Sequence, residues 1–369
     1  MERPGSPLHP AIISDRSQGP MPAFTELPLA LNLLLFLAAA VVVFFAGSRL
    51  SLYADTISSI TGIGHAAMGF ILLAGITSLP EIAVTVVATL DGHADLAANN
   101  LLGTAAIHVV LLAAVDFAVG RRPLTASVPE PAVMLGGNLN VLLLAIVVCG
   151  MVVGDFLVFG AGVWSWICLL FYLGSVFLLG QEEGREPWVA ADQGRPDRDL
   201  IREVEKNKGR RRTGLRETLL WVSLAGVLIL VAGFVVARSG EALAEQTGLG
   251  AGFVGFVLIA VSTSLPEAST ALAAARHGHF VMAISDVLGT NLLNVALIFL
   301  IDILAPGGPV LADIGAFSTF GALLAIILTA MFLAGLAQRR EGSLLRMGYD
   351  SVAIILAYCG GIALLFAIR

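Results

Sequence analysis

Apolar residues fall in long uninterrupted blocks along this chain, and short polar or glycine-containing breaks separate the blocks. Ten of these blocks approach the ~20 residues that an α-helix needs to cross a bilayer. The pattern predicts membrane spans at 28–49, 62–90, 95–118, 126–153, 156–180, 217–238, 248–275, 279–304, 309–335 and 346–368. We therefore expect an all-α integral membrane protein with ten transmembrane helices.

Composition supports the same class. Of the 369 residues, 57% are apolar and 13% are charged, whereas an ordinary soluble domain has about 45–50% apolar and about 25% charged residues. The net charge of −6 says little about partners, because charge is confined to loops and a few positions within the spans; no nucleic-acid partner is expected. The expected partner is the lipid bilayer, no cofactor is indicated, and the oligomeric state stays open, with a monomer compatible with the sequence.

Positive charge concentrates in one polar segment, 181–216, which holds ten Lys and Arg residues. The positive-inside rule places this segment in the cytoplasm. It divides the chain into two five-span halves, 28–180 and 217–369, so both termini face outward and seventeen of the 21 Lys and Arg lie inside. Residues 1–27 are rich in proline and predict a disordered tail. The short loops favour a prokaryotic plasma membrane.

The sequence contains an internal repeat, with an offset of 186 between equivalent positions. Residues 61–81 (TGIGHAAMGFILLAGITSLPE) align without a gap with residues 247–267 (TGLGAGFVGFVLIAVSTSLPE), and twelve of these 21 positions are identical. The likeness continues to about residues 110 and 296. Because five spans separate the two copies, they cross the membrane in opposite directions. Inverted repeats with interrupted helices and a binding site near the midplane are typical of secondary transporters.

Both aligned segments end in Thr-Ser-Leu-Pro-Glu. Pro80 and Pro266 lack an N–H, so they predict a break in the second and seventh spans and free backbone carbonyls there. Glu81 and Glu267 follow directly, deep in apolar sequence. An ionisable side chain at such a depth normally marks an ion pathway.

Further polar side chains accompany each glutamate. Thr77 and Thr263 precede the glutamates by four residues, so hydroxyl and carboxylate share one helix face. The next span of each copy carries a polar residue at every fourth position, and we expect both stripes to face the glutamates. The stripes are Asn100, Thr104 and His108 in the first copy, and Asp286, Thr290 and Asn294 in the second. Such an oxygen-rich cluster suits Ca²⁺, although an isolated hydroxyl more often bonds to its own backbone.

At these residues the sequence resembles the cation/calcium antiporter superfamily, in its sodium/calcium exchanger branch. The doubled TSLPE and the Gly-Thr-Asn-x-x-Asn run at 289–294 carry the resemblance. It implies two inverted five-helix repeats with helices 2 and 7 broken, and a calcium site formed by Glu81 and Glu267 with oxygens from Thr77 and Thr263. Sodium-site hydroxyls and neighbouring ligands are implied at Ser78, Ser264, Thr104, Thr290, His108 and Asn294, with Asn100 and Asp286 along the pathway.

The chain departs from the family pattern, mainly in its first copy. Ala105 stands where the family has Asn, and His108 stands where it has Asn or Asp. Ile76 and Ser262 replace the glycine that usually precedes the threonine. Histidine titrates near physiological pH, so His108 facing Glu81 indicates H⁺ as an alternative coupling ion. A hydrogen bond between helices is the other role open to this histidine.

The sequence thus predicts a cation antiporter rather than an enzyme, exchanging Ca²⁺ for Na⁺ by alternating access at Glu81 and Glu267. The alternative is proton-coupled transport of Ca²⁺, or of another divalent cation such as Mn²⁺ or Mg²⁺, through His108. An intramembrane metal enzyme is a remote alternative, because neither HExxH nor GxSxG occurs in the chain. A passive cation channel is compatible with the same residues.

Overall fold

Long helices make up almost all of this structure, a computed structural model that describes residues 24–61, 70, 73–120, 123–126, 128, 130–181, 215–305, 307–338, 342–344 and 346–368. The helices of the first half are α1 (Leu29–Thr61), α2 (Ala74–Thr77), α3 (Leu79–Leu90), α4 (Ala94–Val119), α5 (Pro131–Val153) and α6 (Val163–Gln181). The second half contains α7 (Leu215–Thr247), α8 (Ala251–Phe253), a π-helical segment (Val254–Ile259), α9 (Ala260–Thr263), α10 (Leu265–Arg276), α11 (Phe280–Ala296), α12 (Ile298–Leu304), α13 (Val310–Asp313), α14 (Ala316–Gln338) and α15 (Tyr349–Ile368).

Two very short β-hairpins and two turns complete the described elements. Strands β1 (Leu157–Val158) and β2 (Ala161–Gly162) pair between α5 and α6, and β3 (Ser343–Leu344) and β4 (Met347–Gly348) pair between α14 and α15. The two hairpins are separated by the same offset as the aligned motifs. Turns of 3₁₀ helix occur at Phe24–Glu26 and Leu124–Ala126. The repeat therefore extends beyond the aligned motifs to the end of each half.

Nine helical stretches among the described residues are long and apolar enough to cross a membrane. A further apolar helix, Ala74–Leu90, is shorter, and most of the predicted second span before it, 62–69 with 71–72, lies outside the described residues. The all-α membrane fold is confirmed, whereas the count of ten spans stays a prediction.

α1 and α7 run further than the predicted spans 28–49 and 217–238. The difference arises at Arg49 and Arg238, where the apolar blocks end but the helices continue to Thr61 and Thr247. An α-helix satisfies its own backbone hydrogen bonds, so it does not need to stop where the lipid ends.

The outer surface of the bundle is apolar. Leu34, Phe177 and Leu356, on three different helices, are 62%, 68% and 67% exposed. Hydrocarbon is the solvent in which such a surface is stable, since spanning helices satisfy their backbone polar groups internally and present apolar side chains to lipid. Inside, α4, α5, α11 and α14 pack together and bury the apolar core.

The two halves interlock through their first helices. α1 packs against α10 of the other half, and α7 packs against α3 in the equivalent way. α1 and α7 also pack against each other. Each interrupted helix is thus held between the inner bundle of the protein and the first helix of the opposite half.

Two glycines related by the repeat permit close contact between the halves. A Cβ atom at Gly103 would overlap the backbone of Phe256, and a Cβ atom at Gly289 would lie 2.7 Å from the Cα and carbonyl oxygen of Phe70. Small residues of this kind let helix backbones approach directly within a membrane. They bring α4 and α11 against the interrupted helices of the opposite halves.

Part of the predicted tail, 1–27, is ordered. Asn32 donates to the carbonyl of Phe24 at 2.8 Å, and Gln246 donates to the carbonyl of Leu27 at 2.8 Å, so residues 24–27 form a turn docked on α7. Residues 1–23 lie outside the described part of the chain, as do residues 182–214 of the predicted cytoplasmic loop 181–216.

Candidate cation site

Each interrupted helix breaks at the serine of its Thr-Ser-Leu-Pro-Glu motif. α2 ends at Thr77 and α9 ends at Thr263, and Ser78 and Ser264 have ψ near 0°, outside helical geometry. The prolines then lie in the first turn of α3 and α10, where the missing N–H has no helical partner in any case. The break therefore precedes each proline by two residues.

The glutamates lie in the first turns of α3 and α10. A helix N-terminus carries unpaired N–H groups and the positive end of the helix dipole, so it stabilises a carboxylate. π-helical geometry precedes both breaks, at Phe70 and Leu73 in the first half and over Val254–Ile259 in the second. Such segments occur frequently at functional sites.

Glu81 and Glu267 meet at the centre of the protein, although they come from opposite halves of the chain. Both are fully buried. One oxygen of each carboxylate and one ring nitrogen of His108 lie within 4.8 Å of one another. Among the described residues, none of the four carboxylate oxygens has a hydrogen-bond partner. Buried acids in this state are costly unless a cation or proton neutralises them.

Threonines from one half contact stripe residues of the other half. Thr77 Oγ1 lies 3.4 Å from Oδ1 of Asp286 and 3.3 Å from Oγ1 of Thr290. Thr263 Oγ1 lies 3.5 Å from Oδ1 of Asn100. Since Asn100 and Asp286 are equivalent positions of the repeat, the two sets of contacts are related by it. Each polar stripe thus faces the interrupted helix of the opposite half.

The two serines at the breaks donate to their own helices. Ser78 Oγ donates to the carbonyl of Ala74 at 2.8 Å, and Ser264 Oγ donates to the carbonyl of Ala260 at 2.6 Å. This is the local bonding expected of many membrane hydroxyls. A hydroxyl that donates in this way keeps its oxygen lone pairs for a cation.

Two further predicted residues lie buried with unsatisfied polar atoms. The hydroxyl of Thr104 and both amide atoms of Asn294 have no hydrogen-bond partner among the described residues, and both side chains are fully buried. Buried polar atoms are almost always paired in folded proteins. The unpaired polar atoms of Thr104 and Asn294 fit a site that binds a transported ion.

Sequence reasoning missed two residues of this region. Asn291 Oδ1 lies 2.7 Å from Nδ1 of His108, and Thr270 Oγ1 donates to Oδ2 of Asp286 at 2.5 Å. Asn291 belongs to the Gly-Thr-Asn run, and its counterpart in the first copy is Ala105. This difference between the two copies could have indicated that Asn291 has a role of its own. Thr270 follows Glu267 by three residues, a helical spacing that carries little information alone.

Two inverted halves, each with an interrupted helix that delivers a buried carboxylate to a shared central site, define a secondary transporter. A family model described as "Sodium/calcium exchanger protein" matches residues 31–181 and 218–367, most of both halves. The chain belongs to the sodium/calcium exchanger family, and it is a membrane antiporter rather than an enzyme.

The chain is also similar in sequence to individual proteins. The chain is similar to the inner membrane protein YrbG of Escherichia coli strain K12, with 28% identity over 273 residues, 72% of this chain and 77% of YrbG. It is also similar to the sodium/calcium exchanger MaX1 of Methanosarcina acetivorans, with 28% identity over 149 residues, 39% of this chain and 42% of MaX1.

A solved structure of the sodium-calcium exchanger NCX_Mj shares the fold. It superposes with a TM-score of 0.61 and 16% sequence identity, over 91% of this chain and 99% of NCX_Mj. At that identity the likeness concerns the fold alone.

Proposed function

We propose that this antiporter exchanges Ca²⁺ for Na⁺ by alternating access around Glu81 and Glu267. The observation that carries the proposal is the meeting of these two fully buried carboxylates, whose oxygens have no partner among the described residues. The family membership and the names of MaX1 and NCX_Mj, both sodium/calcium exchangers, support calcium and sodium as the ions.

The divalent ion would be bound by oxygens from both halves. Glu81 and Glu267 offer four carboxylate oxygens, and Thr77 and Thr263 add hydroxyl or carbonyl oxygens beside them. Ca²⁺ takes about 6–8 oxygen ligands in flexible geometry, so this set approaches a complete shell. Two negative charges match the charge of one such ion.

Sodium would use neutral oxygens around the same carboxylates. We assign Ser78, Ser264, Thr104, Thr290 and Asn294 to these positions. Two buried anions are costly to carry through the membrane without a cation, so the site would change sides only when it is loaded. This cost gives the physical basis for obligatory exchange, because one ion must be replaced by the other before the return step.

Alternating access is supported by how the helices pack. α1 and α7 contact each other and the second parts of the broken helices, α10 and α3, from outside the inner bundle. We propose that this pair slides or rocks against the other helices, exposing the central site to either side. Inverted repeats allow two such states of related geometry.

We further propose that loop 181–216 is cytoplasmic and both termini are external, in a prokaryotic inner membrane. The bias of Lys and Arg supports the orientation. The name of YrbG, an inner membrane protein, supports the location.

H⁺ is the alternative coupling ion, and one observation favours it. His108 lies within the carboxylate cluster, where an amide or carboxylate oxygen would serve Na⁺ better than an imidazole nitrogen. A proton shared among His108 and the glutamates could then replace Na⁺ as the counter-ion.

The test is uptake of ⁴⁵Ca²⁺ into proteoliposomes loaded with Na⁺, with Glu81→Gln and Glu267→Gln variants. We expect Na⁺-driven uptake in the wild type and none above empty liposomes in either variant. Glu245→Gln, which alters an exposed acid, should transport normally. Uptake that is independent of the Na⁺ gradient but follows ΔpH would identify H⁺ as the coupling ion. Uptake that survives both substitutions would show that Glu81 and Glu267 do not form the transport site.

A further inference from the structure

Asn291 holds the ring of His108 in one orientation. The Nδ1 atom of His108 and the Oδ1 atom of Asn291 lie 2.7 Å apart, and both side chains are fully buried. The amide nitrogen of Asn291 donates to the carbonyl of Ala105 at 3.3 Å. If the amide were turned around, its oxygen would face that carbonyl and two acceptors would meet. Asn291 therefore presents its oxygen to the imidazole.

This contact determines where the imidazole carries its proton. An amide oxygen only accepts hydrogen bonds, so Nδ1 of His108 is the donor, and in the neutral ring Nε2 keeps its lone pair. Nε2 is buried without a hydrogen-bond partner within the described part of the chain. One ring nitrogen of His108 lies within 4.8 Å of the oxygens of Glu81 and Glu267, and because Nδ1 is engaged by Asn291 we assign Nε2 as the nitrogen that would bind a cation together with them.

The donor set therefore differs between the two halves of the protein. The repeat pairs His108 with Asn294, so one half offers a nitrogen where the other offers an amide. Ca²⁺ is bound by oxygen ligands and gains little from imidazole. Imidazole instead suits first-row transition metals, whose affinity for mixed nitrogen and oxygen sites rises from Mn²⁺ through Co²⁺ and Ni²⁺.

We propose that divalent first-row transition metals, represented by Mn²⁺ and Co²⁺, are a further class of cargo for this site. Nε2 of His108 and the carboxylates of Glu81 and Glu267 form the ligand set that favours them over Ca²⁺. The N–H of His108 bonded to Asn291 is the outer contact that a metal-binding histidine usually has. The inference that these metals are transported rests on the proposed function. The inference that the site binds them more tightly than Ca²⁺ does not depend on it.

The test begins with binding of Co²⁺ to the purified, tag-free full-length protein in detergent. The visible absorption of Co²⁺ changes when nitrogen coordinates it, and Ca²⁺ competition gives the relative affinity. We expect tighter binding of Co²⁺ than of Ca²⁺ by the wild type. His108→Asn should abolish the nitrogen-dependent spectrum and weaken Co²⁺ binding by more than about 100-fold, judged from the 10–100-fold effect of losing an outer contact alone. Thermal unfolding of the variant in detergent verifies that it folds.

Two variants of Asn291 test whether this residue acts by orienting the ring of His108 or only by packing against it. Asn291→Ala removes the acceptor and should weaken Co²⁺ binding by about 10–100-fold, whereas Asn291→Asp keeps an acceptor for Nδ1 and should bind Co²⁺ more tightly than the alanine variant. His277→Asn, an exposed histidine beyond the end of α10, is the matched control and should behave as wild type.

Uptake of ⁵⁴Mn²⁺ and ⁴⁵Ca²⁺ into proteoliposomes then tests cargo. We expect the wild type to take up Mn²⁺ in preference to Ca²⁺, and His108→Asn to reverse that preference. An identical Co²⁺ spectrum and affinity in wild type and His108→Asn would overturn the inference. Absence of uptake of either ion by the wild type would instead reject the proposed function, and the binding result would still decide the ligand set.

Discussion

Asp116 and Asp302 occupy equivalent positions of the repeat and accept equivalent hydrogen bonds in the two halves. Oδ1 of Asp116 accepts from the amide of Leu124 at 2.6 Å. Its Oδ2 accepts from the amide of Gly348 and the hydroxyl of Ser351, both at 2.7 Å. The side chain thus ties the end of α4 to the loop before α5 and to the hairpin of the other half.

Asp302 makes the same three bonds at the positions the repeat predicts. Its Oδ1 accepts from the amide of Val310 at 2.7 Å. Its Oδ2 accepts from the amide of Gly162 at 2.8 Å and from the hydroxyl of Ser165 at 2.6 Å. The inverted repeat is therefore preserved in side-chain contacts far from the glutamates, and each half is fastened to the hairpin of the other.

Asp116→Asn and Asp302→Asn should destabilise the protein by similar amounts. Both oxygens of each aspartate accept from N–H groups, so one of them must be replaced by an NH₂ group that cannot accept, and a buried amide loses its partner. Such a loss costs about 1–3 kcal/mol. Thermal unfolding in detergent measures it, with Asp95→Asn, an exposed acid, as control. A large effect in one half only would contradict the proposed equivalence.

Gly47→Ala should slow exchange while leaving cation binding intact. A Cβ atom at Gly47 would lie 2.5 Å from Cα of Pro266, so α1 must move away from α10. If α1 moves during transport, this contact lies on the moving surface. We expect turnover to fall by about 10-fold, which corresponds to about 1.4 kcal/mol in the barrier, with the binding constant for the divalent ion unchanged.

Two other glycines make the α1 prediction specific. At Gly233 the equivalent Cβ atom would lie 3.0 Å from Cα of Pro80, a milder clash, so Gly233→Ala should slow exchange less than Gly47→Ala does. Gly174 on α6 has no atom within 4 Å of such a Cβ among the described residues, and Gly174→Ala should transport normally. Equal rates in all three variants would argue against motion of α1 and α7.

Ser78→Ala and Ser264→Ala should raise the Na⁺ concentration needed for half-maximal exchange. Each change removes an oxygen whose lone pairs are free for a monovalent ion, but leaves both carboxylates for the divalent one. We expect several-fold weaker activation by Na⁺ and little change in divalent binding by the purified protein. Alanine variants with an unchanged Na⁺ dependence would remove these hydroxyls from the sodium positions.

Asp155→Asn should stabilise the protein at neutral pH. Partial burial raises the pKa of Asp155, and the nearby charge of Asp302 adds to this, although backbone amides at Trp164 and Phe156 oppose it. A raised pKa in the folded state means that ionisation favours unfolding, so the wild type loses stability as the pH rises through that pKa. Asparagine keeps an acceptor oxygen without the charge.

The pH dependence of the stabilisation by Asp155→Asn tests its proposed cause. Below the ordinary Asp pKa of about 3.9 the carboxyl is protonated in both folded and unfolded chains, so the advantage of Asp155→Asn should disappear there. Unfolding temperatures at neutral and acidic pH measure the effect. A stabilisation by Asp155→Asn that grows on acidification would contradict a raised pKa of Asp155 in the folded protein.

Local patterns in the sequence predicted the apolar helices, the polar stripes and, through Pro80 and Pro266, the two interruptions, but not how far α1 and α7 continue. Glu81 and His108 come from consecutive spans of one copy, so their proximity follows from helical spacing and a short connection. The bond between His108 and Asn291 joins α4 to α11 across 183 residues, and depends on how two helices with similar faces pack. No pattern within either helix specifies that packing.

Local sequence patterns also failed to predict the short structured segments outside the long helices. Residues 24–27 have the proline-rich surroundings of a tail, yet they dock because Gln246, from the opposite half of the chain, donates to their carbonyls. The β-hairpins at 157–162 and 343–348 are too short to give an alternating pattern. Their equivalence follows from their common offset of 186 and from the bonds to Asp302 and Asp116.

The most direct test of antiport is release of ²²Na⁺ from loaded proteoliposomes in response to external Ca²⁺. The account predicts that ²²Na⁺ stays inside until Ca²⁺ is added, then leaves in proportion to the ⁴⁵Ca²⁺ that enters, and that Glu81→Gln and Glu267→Gln abolish both fluxes. Release of ²²Na⁺ in the absence of any counter-ion would contradict it, because a channel rather than a shared exchange site would then account for the flux.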